Sequence, residues 1–157
     1  MRTDYAQRLM FNGFVVFLLG LVIGFFSYIG MLWSGQLGVI AHLEGLLNGM
    51  FLAILGLIWG RMVLSERQQR FTYWLAIGSV YLNYGQAAWF AKFGRYRATT
   101  LFPANRTPFS VLETMVLDGA LLFLTLGFIT CAVMILWGLR RGLSAQRAVP
   151  LTNRVPA

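Results

Sequence analysis

LGVIAHLEGLLNGMFLAILGLIW, residues 37–59, is an apolar run interrupted by His42, Glu44 and Asn48. As a helix it is long enough to cross a bilayer, which takes about 20 apolar residues. Three more blocks of that kind surround it, roughly Leu9–Trp33, Phe71–Phe93 and Leu112–Leu139. The chain is 58% hydrophobic and 11% charged, with a mean hydropathy of +0.67, whereas a soluble domain carries about 25% charged residues. These features predict an all-α integral membrane protein in one domain, a four-transmembrane-helix bundle over residues 1–139. A cytoplasmic tail, residues 140–157 with Pro150 and Pro156, is expected to be disordered.

The formal charge of +8 is not a nucleic-acid signal, because the basic residues cluster at the ends of apolar blocks. Arg2, Arg8, Arg61, Arg67, Arg70, Arg140, Arg141, Arg147 and Arg154 fall on one side of a four-span layout, and only Lys92, Arg95, Arg97 and Arg106 on the other. The positive-inside rule then puts both termini in the cytoplasm, as in a multi-pass protein of a bacterial-type inner membrane. The first block is too long for the apolar core of a signal peptide, and no small-x-small cleavage site follows it. Cys131 lies mid-helix without a second cysteine to pair with and reads as packing.

Gly20 and Gly24, Gly45 and Gly49, and Gly56 and Gly60 repeat a four-residue spacing in the first two helices. Such stripes let helices approach closely in lipid, or leave room beside the backbone for a flat ligand. The third helix carries Ser79, Tyr81, Asn83, Tyr84 and Gln86 within eight residues. Taken singly these could be interhelical contacts; as a cluster they favour a lined polar pocket. In the fourth helix Ser110 and Glu113 have capping-box spacing. Asp118 is placed to snorkel, or to pair with Arg95, Arg97 or Arg106, and the aromatic third connection reads as a lid.

His42, the sole histidine, sits about one turn into the second helix. At 100° per residue, Gly45 and Gly49 fall within about 60° of it, Asn48 about 120° away and Glu44 about 200° away. An imidazole on a glycine-lined face has the shape needed for axial ligation of a planar macrocycle, although a lone interfacial histidine is more commonly a hydrogen-bonding residue. Zinc needs three or four clustered ligands, which one histidine and a remote cysteine do not supply. A hydrolase triad lacks its nucleophile elbow, and one histidine excludes bis-histidine haem within a chain.

The segment AHLEGLLNGMFLAILGLIW (residues 41–59) resembles the SHLEG-MNGMFL-LGLIW signature of hydroxylaminobenzene mutases. The likeness extends to the four-helix layout, to NRTP and LE within residues 105–113, and to ILWGLR at residues 135–140. These enzymes look like relatives of styrene oxide isomerase, whose pattern is His-x-Gly-x-x-x-Asn-Gly. Here the His42-to-Asn48 interval and the following Gly49 agree, while the intervening glycine is displaced to Gly45. The resemblance implies a ferric haem b ligated by His42 between subunits of a homotrimer, with the iron acting as a Lewis acid and Asn48 orienting substrate. It stops in the third helix: anchoring on Asn83 and Gly85 puts Ser79 and Ala87 where the isomerase has Asp and Tyr.

The expected function is therefore a membrane isomerase that converts hydroxylaminobenzene, or a related arylhydroxylamine, to an ortho-aminophenol. His42, Gly45 and Gly49 form the expected cofactor site. Asn48, Tyr81, Asn83 and Tyr84 hold a small aromatic substrate drawn from the lipid bilayer. The alternatives are a haem-dependent epoxide isomerase, a small haem or quinone redox subunit, and a purely structural membrane protein. Glu44 takes no role in this reading.

Overall fold

Gly30 marks the end of the first helix. Its φ of 73° is open to glycine without strain, and the amide of Met31 closes onto Phe26 O at 3.0 Å, as in a Schellman cap. In the computed structural model, which describes residues 2–31, 35–93 and 110–147, the helices are α1 (Arg2–Tyr28), α2 (Gly35–Ile58), α3 (Glu66–Phe93) and α4 (Val111–Arg147). A single 3₁₀ turn, Trp59–Arg61, extends α2. No strand occurs among the described residues.

The starts of α3 and α4 follow their caps. Ser110 and Glu113 form the expected reciprocal box, with the Ser110 amide donating to Glu113 Oε2 at 2.8 Å and the Glu113 amide to Ser110 Oγ at 3.2 Å. Ser65 and Gln68 make the same exchange ahead of α3, so α3 begins five residues before the expected Phe71. The fourth helix continues to Arg147, past the expected start of the tail at residue 140, since LRRGLSAQR holds no proline and the next one is Pro150. The expected lid, with Arg95, Arg97 and Arg106, lies outside the described residues.

α1, α2 and α4 are long and apolar enough to cross a membrane. α3 has 28 residues, about 42 Å of helix, but its polar stretches take it below that apolarity. The α1–α2 pair is the tightest contact, α3 packs on both, and α4 lies along α3 and the 3₁₀ turn. Phe128 of α4 meets Phe51 of α2 edge-on at 5.8 Å, and the Val63 amide donates to Gly138 O at 3.0 Å, pinning the second connection to α4. Most of α4, including Met115, Leu122, Leu126, Ile129, Val133 and Leu136, remains exposed, which is the composition a lipid-facing surface requires.

Candidate active site

The glycine stripe of α2 is filled by α1. A methyl group on Gly45 would run into Gly20 Cα and the Tyr84 ring; one on Gly49 would meet Phe17 N at 2.6 Å and Gly13 O at 2.7 Å. Farther along, Gly56 lies against Met10 and Ala6 O, while Gly60 faces open space. Between the two alternatives left by the spacing, close helix approach and room for a flat ligand, this packing gives close approach. Gly45 and Gly49 hold backbone, not a cleared face.

The same contact seats the histidine. Opposite His42, α1 presents Gly20 and Gly24, and a Cβ on Gly24 would fall 2.5 Å from His42 Nδ1. Nδ1 lies 2.9 Å from Gly20 O, so this nitrogen carries the proton and donates to the carbonyl. The tautomer leaves the Nε2 lone pair as the ligating position. Metal-bound histidines are commonly fixed in this way, by a carbonyl on the other ring nitrogen. The donor set therefore fits a group that takes a single protein ligand, such as haem.

On another face of α2, Glu44 joins two of the expected site residues. Its Oε2 accepts from Asn83 Nδ2 at 2.6 Å and from Asn48 Nδ2 at 3.2 Å. Beside a carboxylate an amide must present its NH₂ end, so both Asn carbonyl oxygens turn away from Glu44. Asn48 is buried, Glu44 and Asn83 partly so. The angle between Glu44 and His42 does not reveal this contact. Glu44 and Asn48 are i and i+4, about 40° apart on the helix, and that spacing was the available signal.

The other residues divide. Tyr84 is buried, with its ring against Gly45, next to the Glu44 cluster in sequence on both helices. Tyr81 faces elsewhere, its hydroxyl donating to Asn12 Oδ1 of α1 at 2.8 Å. Tyr81 also lines an apolar pocket of about 470 Å³ between α3 and α4, with Gln86, Trp89, Leu112, Val116 and Ala120. That pocket includes neither His42, Asn48 nor Asn83. Ser79 is fully buried against Gly127 of α4, and its hydroxyl has no partner among the described residues. The structure thus brings together Glu44, Asn48 and Asn83, with Tyr84 alongside, and sets His42 on a different side of α2.

The family model described as styrene oxide isomerase matches residues 5–140. Hydroxylaminobenzene mutase HabB of Ectopseudomonas oleovorans is 31% identical over 135 residues, 86% of this chain and 81% of its own. Hydroxylaminobenzene mutase HabA of the same organism is 40% identical over 73 residues, 46% of this chain and 53% of its own. No solved structure matches significantly.

Proposed function

This chain belongs to the styrene oxide isomerase family, and from that premise we propose that it rearranges an arylhydroxylamine, with hydroxylaminobenzene as the parent compound, to an ortho-aminophenol. It is an isomerase. The observation that carries the substrate class is the Glu44–Asn48–Asn83 cluster. A carboxylate and outward-turned amide carbonyls are acceptors. An arylhydroxylamine brings N–H and O–H donors to them, whereas an epoxide brings none. The relatives named as hydroxylaminobenzene mutases support the same reading.

In the reaction the N–O bond breaks, positive charge spreads into the ring, and the hydroxyl returns at the ortho carbon. Asn48 and Asn83 hold the polar end, and Tyr84 offers a ring beside the arene. His42, fixed by Gly20 O, would hold a ferric haem b through Nε2. The chemistry haem supplies when bound is Lewis acidity toward an N–O or C–O bond. An apolar surround excludes water from a reactive cationic species.

Partly exposed His42, Glu44 and Asn83 at membrane depth support a homo-oligomer, a trimer by family likeness, that covers them. All four helices span an inner membrane with cytoplasmic termini, α3 included, because it runs alongside α2 and buries Ser79 and Tyr84 against its neighbours. The family match favours a second reading, epoxide-to-aldehyde isomerisation. Ser79 and Ala87 at two polar positions of that enzyme weigh against it.

Membranes containing the protein, supplied separately with phenylhydroxylamine and styrene oxide, distinguish the two by product. Formation of 2-aminophenol is expected; phenylacetaldehyde instead would establish the second reading, and no product from either substrate would sink both. A Soret band in purified wild type that is lost in His42→Ala is the expected mark of the haem ligand.

A further inference from the structure

Of the five acidic residues, Asp4, Glu66 and Glu113 lie in the first turns of their helices. Glu44 is different: it sits ten residues into α2 and makes no ion pair among the described residues. Its partners are two neutral amides, both on Oε2. Oε1 accepts no hydrogen bond from the described residues. Because the amides grip only Oε2, the carboxyl group keeps its orientation whether or not Oε1 carries a proton.

The proposed rearrangement requires such a group. Once the hydroxyl has moved from nitrogen to the ortho carbon, that carbon bears both OH and H, and the ring is no longer aromatic. Aromaticity returns when the C–H bond breaks, its electron pair enters the ring, and nitrogen gains one proton. The reaction is redox-neutral, and its net result is one proton moved from carbon to nitrogen. Epoxide-to-aldehyde rearrangement differs, because its hydrogen migrates between carbons with its electron pair and no base has to receive it.

We propose that Glu44, through Oε1, accepts the ortho proton and returns it to the nitrogen, so that it is the acid–base residue of the mutase reaction. This rests on the arylhydroxylamine reading above. Asn48 and Asn83 then have a second task, as positioning residues that hold the carboxyl group by its other oxygen.

The test uses the full-length purified protein with phenylhydroxylamine and its 2,6-dideuterated form. Glu44→Gln is expected to slow turnover by about 10²-fold or more, the usual contribution of a general acid–base group. Its ring-deuterium isotope effect should rise above that of wild type, because loss of the ortho proton becomes rate-limiting. Glu44→Asp, which keeps a carboxylate, should recover part of the rate. Wild-type speed in Glu44→Gln overturns the assignment, as does slow turnover with an unchanged isotope effect. If Glu44→Gln does not accumulate or turn over, Glu44→Asp decides by the same isotope comparison. Failure of wild type to convert phenylhydroxylamine overturns the parent reading and this assignment together; conversion with an unaffected Glu44→Gln overturns only the assignment.

Discussion

Two short hydrogen-bonded arrangements set the chemistry of individual residues. His42 is held through Nδ1 by Gly20 O, and the ring has its place only because Gly24 lacks a Cβ. Gly24→Ala should therefore leave the helices assembled but displace the imidazole; a weakened or shifted Soret band with wild-type helicity by circular dichroism is expected, and an unaltered band would contradict it. Asn83 donates to Glu44 at 2.6 Å, and a hydrogen bond to a charged group contributes about 1.5–3 kcal/mol. Asn83→Ala should lower stability by about that much. In a double-mutant cycle with Glu44→Gln, the two losses should be coupled by roughly 0.5–3 kcal/mol, measured by thermal unfolding in detergent. Strict additivity would mean that the pair does not interact.

At the scale of elements, the α1–α2 contact depends on glycine at some positions and not at others. A branched side chain at Gly45 would have to displace α1 backbone at Gly20, and overpacking of this kind costs about 1–3 kcal/mol or more. Gly45→Val should lower the melting temperature sharply, whereas Gly85→Ala, with nothing within 4 Å, should be neutral or stabilise by about 0.5–1 kcal/mol. Equal effects at the two sites would refute this picture of the helix pair. The apolar blocks and the Ser110–Glu113 cap were readable from the chain because they are local in sequence. The use of the glycines was not, because a small-residue stripe is the same whether a helix or a ligand fills it, and only the position of α1 decides. The helical count of Glu44 against Asn48 was equally local, but its partner Asn83 is 39 residues away, and which face of α3 meets α2 is set by packing. The start of α3 at Glu66 was legible in SERQ, where Gln takes the part of Glu in the capping box.

For the whole molecule, the decisive quantity is the polar surface that a single chain leaves uncovered. Most of the exposed side chains on α4 are apolar and suit lipid, but His42, Glu44 and Asn83 are only partly buried and lie away from the ends of α2 and α3. A charged group in the middle of a spanning helix costs about 2.5–3.5 kcal/mol even on the most lenient scale. The two amides offset part of that for Glu44, and Gly20 O satisfies one ring nitrogen of His42. Neighbouring copies that cover His42 on one side of α2 and the Glu44 cluster on another remove the cost and also supply walls for the site, so assembly and activity should be lost together. Native mass spectrometry from mild detergent is expected to show a species of three 17.7 kDa chains, with mutase turnover confined to it. A monomer with full turnover would show that one chain completes the site, and that lipid or a bound group, not a second copy, covers these residues.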